Sequence, residues 1–241
     1  MAMSFPFISR LTSFFFPITC AGCGAPLPAK DHYRLCPACA DSIPLITGLV
    51  CVHCGVALPD GGATCFRCRS HPLRHITAIR SCVSYEGLSR DILKRFKYGD
   101  RDYLDRFLGR LLLAGFEAHR DLFAYCDIIV PVPLHFLRRL MRGYNQAELL
   151  ALALAARIEK PVVTDVLRRN EYSRPQFRLG RDERFKNLKN VFSAKKSVKT
   201  KGKSILLVDD ICTTGATLSY CAAALRGAGA SRIFALTVAR D

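Results

Sequence analysis

From residue 76 onward the chain alternates between two hydrophobic patterns. Short apolar runs, several of them rich in β-branched residues, are separated by longer segments whose apolar residues recur every three or four positions. The first pattern belongs to strands and the second to helices with one buried stripe. Residues 76–85 read as a strand closed by Gly87, and Ser89 is placed to cap a helix reaching Tyr98, with Ile92, Leu93 and Phe96 on one face. A second helix is predicted over 103–119, where Leu104, Phe107, Leu108, Leu111, Leu112 and Phe116 keep helical spacing. Residues 127–131 form a short buried strand, and 146–158 a strongly apolar helix ended by Pro161. Strands are predicted at 162–167, 205–208 and 232–238, with a helix over 218–225. Alternation of this kind predicts an α/β domain over residues 76–241, a parallel sheet flanked by helices and joined by right-handed crossovers. Ligands of such sheets bind outside the C-terminal strand ends.

The pattern is different before residue 76. Residues 1–19 are Phe-rich and read as a short amphipathic helix packed on the neighbouring cysteine-rich segment. Arg10 interrupts the run and no small-residue cleavage site comes after it, which argues against a signal peptide. No segment reaches the ~20 apolar residues that cross a bilayer, so no stable membrane insertion is expected. Contact of the phenylalanines with a membrane surface remains the alternative.

Residues 20–75 form a cysteine module. Of the chain's 12 cysteines, eight lie in four Cys-x-x-Cys pairs: Cys20/Cys23, Cys36/Cys39, Cys51/Cys54 and Cys65/Cys68. Each pair makes a knuckle with both sulfurs aimed at one centre, and two knuckles close a tetrahedral four-thiolate zinc site. The gaps are 12 residues between the first two pairs and 10 between the last two. Gly24 and Gly55 come directly after the second sulfur of their knuckles, where a left-handed residue is often needed. Two structural zinc ions are expected in a double zinc ribbon. The spacing leaves open whether the pairs close sequentially or cross-braced. His32, His53, His71 and His75 are available but superfluous as ligands, and Cys82, Cys126, Cys212 and Cys221 read as ordinary buried thiols. Reduced, metal-bound thiols imply a cytoplasmic protein.

Chemistry concentrates at 205–218. A buried strand ends in Asp209 and Asp210, and Thr213, Thr214, Gly215, Ala216 and Thr217 then open a helix. Unpaired backbone N–H groups at a helix start make an anion cradle, and Gly215 allows close backbone approach. Carboxylates beside a phosphate need another task, and accepting hydrogen bonds from vicinal sugar hydroxyls is the natural one. The expected ligand is a sugar phosphate. The segment resembles the 5-phosphoribosyl-1-pyrophosphate (PRPP) motif of type I phosphoribosyltransferases. That resemblance implies that Asp209 and Asp210, the catalytic acids, hold the ribose 2′- and 3′-hydroxyls. It also implies that 213–217 hold the 5′-phosphate.

A second element comes after the 127–131 strand, where Pro131 and Pro133 stiffen the exit and either X-Pro bond is a candidate for cis. His135, Arg138, Arg139 and Arg142 come next, then Gly143 before a helix start. The phosphoribosyltransferase resemblance places a pyrophosphate-binding loop here, formed by Pro133, Leu134, Arg138 and Arg142, with Arg139 a further candidate. A third element, 168–189, carries a net +5 and reads as a basic hairpin or lid. Its arginines are interleaved with Tyr172, Phe177 and Phe185, a composition suited to stacking bases. Arg174, Arg178, Arg181, Arg184 and Lys186 are the candidate DNA contacts. Lys195, Lys196, Lys199, Lys201 and Lys203 extend the positive run.

Charge agrees with a polyanionic partner. The chain of 241 residues carries +16, only +3 of it before residue 76. Taken together, the paired cysteine knuckles, the stretch 93–99, residues 127–146 with Arg142, Gly143, Tyr144, Asn145 and Gln146, then Gln176, Leu179, Arg184 and Asn187, and the PRPP motif resemble the ComF (ComFC/GntX-like) family. The resemblance implies a type I phosphoribosyltransferase-like fold with an N-terminal zinc-ribbon module. It implies a cytoplasmic role in natural transformation on single-stranded DNA, with the helicase ComFA and the recombination mediator DprA as partners. Two functions compete. One is a PRPP-binding protein that handles DNA. The other is an active, Mg²⁺-dependent phosphoribosyltransferase of nucleotide or cofactor metabolism, in which a nucleophile displaces pyrophosphate.

Overall fold

A computed structural model describes residues 18–28, 31, 33–98, 102–170 and 191–241. The expected helix over 1–19 lies almost wholly outside the described residues, as do His32 and the lid residues Arg174, Arg178, Arg181, Arg184 and Lys186. The described chain contains, in order, α1 (Pro37–Asp41), α2 (Phe66–Ser70), β1 (Ala78–Ser84), α3 (Gly87–Tyr98), α4 (Asp105–Ala118), α5 (Arg120–Phe123) and β2 (Ile128–Pro131). It continues with α6 (Phe136–Arg142), α7 (Gln146–Ile158), β3 (Leu167–Arg169), β4 (Phe192–Ala194), β5 (Ser204–Cys212), α8 (Ala216–Gly227) and β6 (Arg232–Arg240).

Among the described residues the main sheet runs β1-β6-β5-β2, every pair parallel. β5 is central because it is apolar on both faces. Ile205, Leu206, Leu207 and Val208 are all 0% exposed. Leu206 and Val208 pack in the cluster that holds Phe96, Leu108, Leu112 and Leu150 from α3, α4 and α7. Ile205 and Leu207 pack in the cluster of α8 and the β3–β4 hairpin, with Leu218, Cys221, Leu225 and Phe192.

Three elements differ from expectation. The strand expected at 162–167 divides: Val162 alone bridges Ile129 at the sheet edge, and β3 begins at Leu167 in a separate hairpin with β4. The intervening turn is solvated, with Asp165 paired to Lys199 at 3.1 Å. β5 continues through both acids to Cys212, because β6 goes on pairing with it as far as Arg240. Every peptide bond among the described residues is trans, so neither proline after β2 is cis.

The cysteine module is built onto this sheet. β1 is an edge strand, and unpaired edges attract other chains. Here the module covers it: Ser84 donates to the Pro44 carbonyl at 2.9 Å, Ile79 donates to the His53 carbonyl at 2.8 Å, and Ile46 donates to the Cys82 carbonyl at 2.9 Å. Cys20 and Ala21 belong to the same core cluster as Val83 and Phe96, and Arg95 of α3 donates to the Ala21 carbonyl. Gly55 sits at the tightest point. Its φ is +71°, and a Cβ placed on it would lie only 2.5 Å from the Ile79 carbonyl oxygen. Gly55→Ala is expected to destabilise the folded chain by about 2 kcal/mol or more, since strained backbone and a backbone clash coincide. Urea unfolding of the full chain measures this; an unchanged midpoint would mean the knuckle does not dock on β1.

Candidate metal centres and sugar-phosphate site

The eight knuckle cysteines gather in two groups, Cys20/Cys23/Cys36/Cys39 and Cys51/Cys54/Cys65/Cys68, with the sulfurs of each within 4.8 Å of one another. Pairing is therefore sequential. Cys23 and Cys36 approach to 3.8 Å and Cys54 and Cys65 to 3.6 Å. Gly24 and Gly55 adopt φ +78° and +71°, the left-handed turn each knuckle needs. Cys36 and Cys65 stand at the N-caps of α1 and α2, and Cys65 accepts from the Cys68 N–H at 3.4 Å.

Electrostatics match a four-thiolate donor set. Burial pushes the Cys20 thiol up, but N–H groups of Cys36, Cys23 and Gly22 overcome this and bring it down to about 6. Cys51 falls to about 6 by the same balance, with N–H groups from Cys54, Cys65 and His53. Cys39 is pushed up to about 12 by burial and by the neighbouring thiols, and burial and the charge of Cys54 push Cys68 upward. One thiolate forms readily in each centre and opposes the next, an opposition that a divalent cation removes. Both groups fit tetrahedral zinc, whose chemistry here is structural. His53, His71 and His75 are exposed and belong to neither group.

The second site lies where the sheet changes direction. β5 connects through α8 to β6 on one side, while β2 connects through α7 to Val162 on the other. This is a topological switch point, where open parallel sheets bind ligands. β2 pairs with β5 only as far as Pro131 opposite Val208, and Val132 adds a last bond to the Val208 carbonyl at 2.9 Å. From Asp209 onward the β2 side of β5 is released. The acids thus stand at the crevice, with the loop into α8 on one side and α6 on the other.

Successive strand residues face opposite sides of a sheet. Asp210, 9% exposed, pairs with Lys97 of α3 at 3.1 Å. Asp209 is half-buried and interacts electrostatically with Arg169 of β3, and with Cys221 of α8. Burial, then the charge of Asp210, raise the Asp209 carboxyl to about 8; the Asp210 N–H, Lys97 and Arg169 pull the other way without prevailing. The sequence leads one to expect two ionised carboxylates. In this structure burial and the neighbouring Asp210 favour the neutral form of Asp209. Lys97 is shifted upward: burial lowers it, but Asp210 raises it by more.

Gly215 is left-handed, φ +77°, at the N-cap of α8, and Thr214 Oγ1 accepts from the Ala216 N–H at 3.3 Å. Thr213, Thr214 and Thr217 are partly exposed, while Gly215 and Ala216 are buried.

The expected pyrophosphate loop is in part a helix, α6. His135 Nδ1 caps it by accepting from the Leu137 N–H at 3.2 Å. Arg138 lies close enough to Arg169 for its charge to oppose that of Arg169. Arg142 is otherwise engaged, donating to Gln146 Oε1 at 3.1 Å and stacking over Tyr98 at 4.7 Å. Arg139 pairs with Glu148 at 3.4 Å. Pro133 and Leu134 are half-buried in the lead-in to α6. Tyr144 donates to the Phe96 carbonyl at 2.5 Å and Asn145 to the Val132 carbonyl at 3.1 Å, so these motif residues hold the crevice walls together. Sequence reasoning assigns no role to Lys97, Arg169, Arg80 or Arg240. Nothing local marks them, since each acquires its partner only through the fold.

Sheet, switch-point crevice and two cysteine centres define a phosphoribosyltransferase-type domain joined to a double zinc ribbon. The double zinc ribbon domain family matches residues 11–69, and the phosphoribosyl transferase domain family matches residues 140–241. Competence protein F of Haemophilus influenzae is 32% identical over 229 residues, covering 94% of this chain and 98% of the relative. Competence protein ComFC of Bacillus subtilis is 29% identical, covering 88% of this chain and 86% of the relative. The DNA utilization protein YhgH of Escherichia coli is 29% identical, covering 90% and 94%. The chain belongs to the ComF family. Among the described residues no helix is long and apolar enough to cross a membrane.

The raised Asp209 carboxyl has a consequence for stability. Between its ordinary 3.8 and about 8 the folded state holds a proton that the unfolded state has released. Folding stability therefore falls as pH rises through that window. Asp209→Asn is expected to flatten this dependence and to raise Tm most at pH 8 and above. Thermal unfolding from pH 5 to 9 checks it; parallel curves for variant and wild type would refute the assignment.

Proposed function

We propose that this protein binds PRPP at the switch-point crevice and acts in DNA uptake, handling single-stranded DNA in the cytoplasm. The observation that carries the reading is the join of two recognitions on one strand–loop–helix unit. Asp209 and Asp210 stand where β2 leaves β5, and a few residues further on the left-handed Gly215 turns the backbone into α8. Vicinal hydroxyls suit the first and a terminal phosphate the second. On this reading Arg138 of α6 meets the pyrophosphate, supported by its nearness to Arg169, and Mg²⁺ bound with PRPP would supply neutralisation of the diphosphate charge. Arg142 serves there only if it leaves Gln146 and Tyr98.

The DNA role is supported by relatives named for competence and for DNA utilization, and by the charge of +16. Lys199 and Lys203 are each tied to a carboxylate, Asp165 at 3.1 Å and Asp127 at 3.7 Å. Contact with phosphates therefore falls more on the arginines Arg174, Arg178, Arg181 and Arg184 and on Lys186. ComFA and DprA are the partners this reading carries with it.

Isothermal calorimetry with Mg²⁺ and PRPP tests the site. Binding is expected for the wild type and its loss for Asp209→Ala combined with Asp210→Ala, with the circular dichroism spectrum retained. Unchanged affinity in the double variant would remove the crevice as the site. Pyrophosphate release from PRPP, with and without oligonucleotide, then separates a binding protein from a transferase.

A further inference from the structure

The end of the sheet away from the acids holds a cationic groove. Every strand of the main sheet runs the same way, so the starts of β1 and β6 lie together. There a cavity of about 240 Å³ is lined by His75, Thr77, Arg226, Ser231 and Arg232, all exposed, and by two buried isoleucines. Arg232 pairs with Ser204 at the start of β5, and Asp209 is five residues further along that strand. The groove therefore lies roughly 17 Å from the acids.

Its positive charge meets no opposition from the segments that build it. No acid occurs between Asp60 and Glu86 or between Asp210 and Asp241. Asp127, beside the start of β5, is already engaged by the Ser204 N–H at 2.8 Å and by Lys203 at 3.7 Å. Among the described residues the Arg232 guanidinium forms no hydrogen bond or ion pair. Arg226 is held in place, donating to the Ala230 carbonyl at 3.1 Å and to the Ser231 carbonyl. Both bonds use Nη1, which leaves the donors of Nε and Nη2 for a ligand. His75 has φ +67°, a left-handed backbone at a residue that is not glycine. It is fixed from both sides: the Arg74 carbonyl accepts from Ser219 Oγ at 3.2 Å, and the Thr77 N–H donates to the Ile233 carbonyl at 2.7 Å. Strain held in this way is typical of binding sites.

Two guanidinium groups with an imidazole and two hydroxyls suit a phosphate, which accepts from all of them. A lipid surface or a protein partner needs exposed apolar anchors, and none of the large exposed apolar residues lines the groove. Helix α8 runs from the crevice to the groove. Its 12 residues span roughly 18 Å, and Arg226 is its only charged residue. An anionic chain lying along α8 meets no carboxylate of that helix on the way.

We propose that this groove is a second phosphate site, occupied by the sugar-phosphate backbone of single-stranded nucleic acid lying along α8, with Arg232 and Arg226 as its phosphate contacts. The proposal rests on the reading of the chain as a handler of single-stranded DNA. It adds a contact outside both the crevice and residues 168–189.

The test is fluorescence anisotropy of a labelled oligothymidine with the full chain across a range of salt concentrations. Arg232→Gln is the informative variant, because Arg226 also braces the turn between α8 and β6. Loss of one phosphate contact should lower affinity about fivefold at about 0.1 M salt and reduce the salt slope by about 0.7. Arg232→Lys keeps the charge and should stay within about twofold of wild type. Arg106→Gln removes the same charge from α4, on the opposite face of the sheet, and should also stay within about twofold. Mg²⁺–PRPP affinity should be unchanged in all three. Wild-type oligonucleotide affinity in Arg232→Gln, or an equal loss in Arg106→Gln, would overturn the groove while leaving the DNA reading standing. A wild type that binds no oligonucleotide would overturn both. If inorganic phosphate shifts the Arg232 Nε–H resonance while Arg232→Gln leaves oligonucleotide affinity intact, the groove belongs to a small phosphorylated ligand and the nucleic-acid occupant is refuted.

Discussion

Two adjacent carboxylates on a central strand, in a place where neither can be fully hydrated, are the constraint around which the crevice is arranged. Asp210 pairs with Lys97 at 3.1 Å, and Asp209 is pushed to about 8 by burial and by Asp210 itself. One ion pair plus one shared protonation burden is a recognisable solution for like charges held close. It fixes α3 relative to β5, because Lys97 comes from the last turn of α3. It also leaves the site poised: a ligand bringing hydroxyls or a cation changes the balance that now keeps Asp209 protonated. Stability at neutral pH is reduced by the same arrangement, a pattern common to functional sites.

The zinc ribbon and the sheet are better understood as one packed body than as a domain with an appendage. β1 would otherwise expose its backbone, and 44–46 and the 51–55 knuckle satisfy it. Arg80 reaches from β1 into the third knuckle, donating to the carbonyls of Cys51 and Val52. A module this short buries little by itself, so metal supplies much of its folding energy.

Much of this is legible because it is written locally. The apolar run 205–208 with acids, a glycine turn and a helix start after it can be read without knowing any neighbour, and so can four Cys-x-x-Cys knuckles. Both ends of α7 are legible because Asn145 caps it and Pro161 prevents its continuation. Helix α6 escapes such reading for a physical reason. Phe136, Leu140 and Met141 are 69%, 70% and 70% exposed, so its apolar residues do not mark a buried stripe. Its two ends are set instead by His135 and Gly143. Sequence places the end of β5 too early because polar acids look like a strand's end, whereas β6 pairs across them. Lys97, Arg169 and Arg240 are not legible at all, since a lone cation acquires meaning only from what the fold sets against it.

The partition of charge obeys the same logic. Several cations of the crevice and the zinc ribbon are individually engaged: Lys97 with Asp210, Arg139 with Glu148, Arg142 with Gln146 and Tyr98, Arg80 with the Val52 carbonyl, and Arg240 with Cys212. The ion pairs Lys97–Asp210 and Arg139–Glu148 contribute little to a diffuse attractive field, since each charge is neutralised within a few ångströms. Of a net +16, much of the part free to attract a polyanion sits elsewhere, and residues 168–189 carry an excess of +5. β3 and β4 deliver both ends of that segment beside α8, against the face of β5 that bears Asp209. A strand of nucleic acid attracted there would arrive next to the sugar-phosphate crevice. On the proposed reading, a phosphoribosyl site and a DNA-handling segment share one small chain while keeping separate residues.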